Sequence, residues 1–196
     1  MPDNRYHFVT EWEFEARIEE VADILSDGPA LARWWPSVYL DVKELEHGDE
    51  QRVGAVMDLY TKGWLPYTLR WQLRVTEANY PNGFSFVAWG DFVGRGTWTL
   101  KQDGPLVKVA YDWDIEAQKV LLRRLSFLLA PVFAANHLWA MDKGHESLKL
   151  ELLRRRAASN EERARIPDPP GATWLSSRRQ RPHTAQIREE EEHHAP

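Results

Sequence analysis

With no cysteine among its 196 residues, the chain has no thiolate nucleophile, thiolate metal site or disulfide. Histidine, tyrosine and the carboxylates are left to supply chemistry. His137 stands out because of its company. It falls among Phe133, His137, Met141, Gly144, Leu148 and Leu152, which recur at intervals of 4, 4, 3, 4 and 4 and lay one stripe along a helix. An imidazole on an apolar stripe is polar and titrates near neutrality. Either it is a hydrogen-bonded structural group, or it faces a cavity, orients a ligand carbonyl or hydroxyl, and acts as general acid or base. Neighbouring Asn136 lies about 100° further round the helix, so the two cannot both point straight into one space. Three tyrosines, Tyr39, Tyr60 and Tyr111, are the other side chains that could move protons from a cavity wall.

Ten tryptophans are unusual in a chain of this length. Each buries a large area and seeks a partner for its N–H, so together they imply a broad core or an aromatic-lined interior. Strand alternation turns Trp71 to the same side as Leu69, Leu73 and Val75, Trp98 to that of Leu100, and Tyr111 and Trp113 to that of Val107 and Val109. These rings either fill the core or wall a small-molecule pocket. Arg70, Gln72 and Arg74 alternate to the opposite, solvated face. Glu11, Glu13, Glu15, Glu44 and Glu46 read as outer-face carboxylates. Asp91 and Arg95 bracket a Gly-rich turn (Gly90, Gly94, Gly96) that lacks the ending and the strand-to-helix context of a phosphate loop. It reads as a hairpin with a turn ion pair, or as the lip of a cavity. No metal site is readable: His193 and His194 follow four glutamates in a solvated tail. Neither a nucleophile elbow nor an HExxH nor a Ser/His/Asp arrangement occurs, and no cofactor is called for.

The elements that must position these residues follow from spacing and turn chemistry. Residues 6–16 alternate as a strand with Tyr6, Phe8, Thr10, Trp12, Phe14 and Ala16 on one face. Residues 17–26 change to helical spacing through Ile18, Val21, Ala22 and Leu25, and Asp27-Gly28-Pro29 stops them. A second short helix through Leu31 and Trp34 ends at Pro36. Strands are predicted over 38–46, 51–62, 67–78, 84–89, 96–101 and 106–115, with Pro81-Asn82-Gly83 and Asp103-Gly104 as turns. One long helix, Val120–Arg156, follows, kinked at Pro131. Its first part carries a second stripe of Leu121, Leu125, Leu128 and Val132, and Asp142, Lys143, Glu146 and Lys149 face water. This order gives an α+β domain over residues 1–157: a curved antiparallel sheet of about seven strands around the C-terminal helix, with a cavity between them and the two short helices. Residues 158–196 are polar, rich in proline and charge, and read as a disordered tail able to take a protein partner.

In this order the residues resemble the SRPBCC (START-like, helix-grip) superfamily, and within it the bacterial polyketide cyclase/dehydrase type. The resemblance covers residues 6–156. It rests on Arg33-Trp34-Trp35-Pro36, Gly90-Asp91, Gly94-Arg95-Gly96, Trp98, Tyr111-Asp112-Trp113, Asn136-His137, Met141, Gly144 and Leu148. It implies a deep apolar cavity for lipids, polyketides, sterols or other hydrophobic small molecules, in proteins that are cyclases or aromatases, carriers, or co-chaperone-like. Aromatase-like relatives often hold an arginine inside the cavity, and no motif transfers that role to Arg70. The polar tail has no counterpart in the resemblance.

The expected work is binding one hydrophobic small molecule, a lipid, polyketide or similar, between sheet and final helix. Its expected contacts are Trp71, Trp98, Tyr111, Trp113, Phe133, His137 and Met141. The alternative is a cyclase or aromatase using the same cavity, with His137 as the candidate catalytic group. A formal net charge of −5 with only a short basic cluster (Arg178, Arg179, Arg181) argues against nucleic acid. The longest uncharged run, residues 125–141, falls short of the ~20 apolar residues of a membrane span and contains Pro131, Asn136 and His137. An N-terminus without an apolar signal region places the chain in the cytoplasm.

Overall fold

Alternation is cleanest in the first strand, β1 (Arg5–Glu15), where every second side chain from Tyr6 to Phe14 is at least half-buried and those between face solvent. The computed structural model describes residues 5–117 and 120–173, and side chains outside 117–130. After β1 come helix α1 (Ile18–Leu25), a 3₁₀ turn at Gly28–Ala30 and helix α2 (Leu31–Trp34). Six further strands follow: β2 (Tyr39–Glu46), β3 (Val56–Lys62), β4 (Thr68–Asn79), β5 (Gly83–Gly90), β6 (Phe92–Asp103) and β7 (Leu106–Ala117). The chain then enters α3 (Val120–Arg156) and a short α4 (Asn160–Ala164). The seven strands form one antiparallel sheet in the order β1-β7-β6-β5-β4-β3-β2. It is a meander closed by β1 pairing along the whole of β7, from Arg5↔Glu116 to Glu15↔Leu106. Irregularities in β2 and between Val75 and Glu77 in β4 let the sheet bend. The helix-grip architecture expected from the sequence is the one observed.

The stripe on α3 faces the sheet as its spacing predicts: Met141, Gly144, Leu148 and Leu152 are buried, and Phe133 and His137 half-buried. They share one core with Trp12, Phe14, Trp34 and Trp35. Gly144 admits a ring: a Cβ built there would lie 2.3 Å from Cζ2 of Trp35. Charges fasten the same end. Arg33 forms a bidentate pair with Glu151 at 2.8 and 2.8 Å, and Arg155 adds a third hydrogen bond at 3.0 Å. Glu151 is 2% exposed. Burial alone would raise its pKa, but the bonds from Arg33 and Arg155 outweigh that and hold it below the ordinary value. On α1, the Glu20 carboxylate accepts from Arg156 at 2.8 Å and from the Arg17 backbone N–H at 2.8 Å, which draws its pKa down to about 2.

Three local expectations are corrected. The segment 51–55 is a turn, because Asp49 Oδ1 accepts the N–H groups of Gln51 and Val53 at 2.9 Å each and so competes with strand pairing. The strand β6 begins at Phe92, so Gly94 and Gly96 lie inside it and only Asp91 stands between β5 and β6. There the glycines serve packing: a Cβ at Gly96 would meet the Phe86 ring at 2.3 Å. Asp91 makes no turn ion pair with Arg95; its carboxylate accepts the Arg70 backbone N–H at 2.9 Å. After Arg156, in the segment expected as a tail, Ser159 caps α4 by accepting from Glu162 N at 3.1 Å. Leu121, Leu125 and Leu128 of the second stripe, and residues 174–196, lie outside the described side chains and residues.

Gly144→Ala should destabilise the chain by about 1–3 kcal/mol, because Trp35 is buried and has nowhere to retreat. Chemical denaturation of the two proteins checks this; equal midpoints would mean that the ring does not sit on the glycine.

Candidate functional site

The interior of the grip is not uniformly filled. Beneath the C-terminal half of α3 the rings of Trp12, Trp34 and Trp35 occupy it, with centroid separations of 5.8 Å (Trp12–Trp35) and 5.4 Å (Trp34–Trp35). Two spaces remain. The smaller, about 140 Å³, lies under the α3 residues from Phe133 to Met141 and is bordered by β1, the sheet and the β3–β4 loop. The larger, about 600 Å³, lies between the sheet and the α1–α2 segment, with Glu50, Gln51, Arg52 and Tyr80 at its lip. Five aromatic residues, Trp35, Tyr39, Trp71, Trp98 and Tyr111, border both. Together they form a partition between two chambers. The cavity expected under α3 is thus present as the smaller chamber. No described α3 residue borders the larger, because tryptophan fills the space through which α3 would reach it.

All seven residues singled out from the sequence border the smaller chamber: Trp71, Trp98, Tyr111, Trp113, Phe133, His137 and Met141. Trp71, Trp98 and Tyr111 belong to both. Strand alternation brings the rings inward, and stacking then fixes them. Tyr111 lies flat on Trp98 at 4.1 Å with 14° between planes, and Trp71 and Trp113 meet at 5.7 Å. The indole N–H of Trp71 donates to Thr61 Oγ1 at 3.0 Å, so its polar edge is satisfied inside the wall.

His137 stacks on Phe8 at 4.2 Å, and its Nε2 lies 3.3 Å from Thr10 Oγ1. Burial pushes its pKa down to about 4. At neutral pH it is therefore an uncharged ring that can donate or accept one hydrogen bond. Burial likewise raises the hydroxyls of Tyr39 and Tyr111 well above their ordinary value, and that of Tyr67 to about 12, so all three remain protonated donors.

Several placements could not be read from sequence. Tyr60, expected as a wall tyrosine, points to the outer face and carries the Arg70 guanidinium 4.5 Å above its ring. Gln72 and Arg74 sit on the same outer face, as strand alternation predicts, bonded to Asp58 and Glu46. Asn136 borders the smaller chamber beside His137. Its Oδ1 accepts the N–H groups of Trp64 and Leu65 at 2.9 and 3.3 Å, pinning the β3–β4 loop onto α3. Lys62, 3% exposed, is a wall residue that sequence reasoning missed. Its Nζ donates to Leu65 O at 3.3 Å, and burial lowers its pKa. The signal was the apolar run Trp64-Leu65-Pro66 immediately after it. Among the described residues no cluster of His, Asp or Glu could hold a metal ion, and no helix is long and apolar enough to cross a membrane.

Comparison with known proteins adds to this geometry. Residues 5–152 match the model of the family described as polyketide cyclase / dehydrase and lipid transport. By sequence, no curated protein matches the chain. Among solved structures, TTHA0849 from Thermus thermophilus is 16% identical, with TM-score 0.62, covering 78% of this chain and 100% of that one. The Zhui aromatase/cyclase from Streptomyces sp. R1128 is 17% identical, with TM-score 0.61, covering 80% and 98%. The di-domain ARO/CYC BexL from the BE-7585A biosynthetic pathway is 12% identical, with TM-score 0.57, covering 76% of this chain and 50% of that one. At such identities the likeness is one of fold.

The depressed pKa of His137 sets a pH dependence. The unfolded ring binds a proton near 6.5 and the folded one near 4, so stability is complete above pH 6.5 and is lost as pH falls toward 4. Between pH 6.5 and 4.5 the wild type should lose about 2 kcal/mol more than His137→Leu, measured by urea denaturation at the two pH values. Parallel losses would show that the ring is solvated.

Proposed function

This chain belongs to the polyketide cyclase/dehydrase and lipid-transport family, and from that premise we propose that it binds one hydrophobic small molecule in the two-chambered cavity. The observation that carries this reading is the size and lining of the larger chamber. At about 600 Å³ it falls within the ~300–1,000 Å³ range of small-molecule sites. Its walls include Leu25, Met57, Leu73, Val75, Phe84 and Phe86. The smaller chamber, at about 140 Å³, has room for roughly one ring, since a cavity of ~150 Å³ holds benzene. Affinity then comes mainly from apolar burial, at about 25 cal/mol per Å² removed from water. The polar groups of Tyr39, Tyr111 and His137 set orientation.

A cyclase or aromatase is the second reading, and one observation favours it: His137, Tyr39 and Tyr111 border the smaller chamber, and the two tyrosines border the larger one as well. The same residues also weigh against rapid proton transfer. General acid–base catalysis works best when the group titrates near the working pH. Burial moves His137 and the tyrosines away from neutrality in opposite directions.

Val75→Trp, which fills the larger chamber from its wall, should weaken binding of an environment-sensitive apolar dye at least tenfold while leaving the circular dichroism spectrum unchanged. His137→Ala should weaken binding of a chamber-filling ligand proportionally more than it lowers stability. No dye binding to the wild type, or undiminished binding to Val75→Trp, would remove the chamber as the site.

A further inference from the structure

Resting on the ligand-binding reading above, we propose that Tyr39 and Tyr111 form a two-hydroxyl clamp for a carbonyl or enolate oxygen of the ligand, at the partition between the chambers. The two residues come from distant parts of the sheet. Tyr39 opens the edge strand β2 and Tyr111 lies in β7, with β6, β5, β4 and β3 between them. Only the curl of the sheet brings both to the partition, where each borders both chambers.

Each ring is held from the side. Tyr111 is 8% exposed and stacks on Trp98 at 4.1 Å, and Tyr39 meets Trp35 edge-on at 5.2 Å and 67°. Neither hydroxyl has a hydrogen-bond partner among the described residues. Nor is either sealed in the core, unlike the partnerless Trp34 Nε1, Trp35 Nε1, Ser37 Oγ and Ser147 Oγ nearby. Buried polar groups are ordinarily paired, and a donor left open on a cavity is matched by what enters it. Both residues border the same pair of chambers, and burial keeps both hydroxyls protonated. Two phenol donors on the border of the same chambers favour an acceptor oxygen over an apolar group, as in an oxyanion hole.

The position of the clamp narrows the ligand class. With apolar space on both sides of the partition, the oxygen belongs in the middle of the molecule rather than at its end. That describes a fused-ring or folded-chain compound with an internal oxo group, and not a fatty acid recognised by its terminal carboxylate. His137 is excluded as the third donor at this point because its ring is engaged with Thr10 and Phe8 in the smaller chamber.

The test uses two probes of the same shape, 9-fluorenone and fluorene, which differ by C=O against CH₂. Titration calorimetry on the full chain should show fluorenone binding roughly tenfold more tightly, although it is the more polar compound. Tyr39→Phe and Tyr111→Phe should each reduce that preference. The double variant should abolish it and leave fluorene affinity unchanged. The melting temperature of the variants should not fall, because no hydrogen bond within the protein is removed. The C=O stretching band of bound fluorenone should lie lower in the wild type than in the double variant. Equal affinity of the two probes for the wild type, a preference that survives in the double variant, or a lower melting temperature in each variant would overturn the clamp while the chamber stands. If neither probe binds, the ligand-binding reading fails and the clamp with it.

Discussion

The indole of Trp35 lying on Gly144 is the contact on which the rest of this structure depends. A side chain of any other size on α3 at that position would hold the helix off the ring. The ring's seat sets how closely the C-terminal half of α3 approaches the sheet. Trp35 also meets Trp12, Trp34 and Tyr39, so the same indole that seats the helix forms part of the partition inside the cup. One residue therefore decides both where the interior is solid and where it is open. That is a physical reason for Trp-Trp-Pro to follow α2: the first tryptophan is fully buried beneath the short helices, the second reaches the long one, and proline ends the helix.

Electrostatics reinforces the solid end and leaves the open end loose. Arg33 and Arg155 on Glu151, and Arg156 on Glu20, tie α1, α2 and the last turns of α3 into one body. The Glu151 carboxylate is buried and charge-assisted, so removing Arg33 would leave it with the single bond from Arg155. At the lip of the larger chamber the arrangement differs. Arg52, held at a positive φ of 71°, bonds Glu44 and His47 in an exposed cluster, and exposed pairs contribute little.

Much of the architecture was legible in the sequence because burial on one face leaves a period. The alternation in β1 and β4 and the stripe on α3 specified which rings turn inward, and all seven expected wall residues do border the smaller chamber. The period fails where both faces are covered. Every side chain in β3 is at least half-buried, so alternation there could not say that Tyr60 turns out under Arg70 or that Lys62 is covered by the loop after it. Asn136 was recognisable as lying further round the helix from His137, but its bond to the β3–β4 loop joins residues far apart in sequence. A cavity beside the two short helices was expected from the order of elements, but its division into two chambers had no sequence signal. Emptiness is a consequence of how rings pack, and no residue type announces it.

A crystal structure of the chain grown with a brominated apolar compound, read by the anomalous signal of bromine, tests the central claim most directly. The account predicts one ordered bromine inside the larger chamber, beside Met57, Leu73 and Val75, with Trp35 still seated on Gly144. Bromine found only on the outer surface, or a chamber closed by the rings of Trp98 and Tyr111 swung into it, would contradict the account.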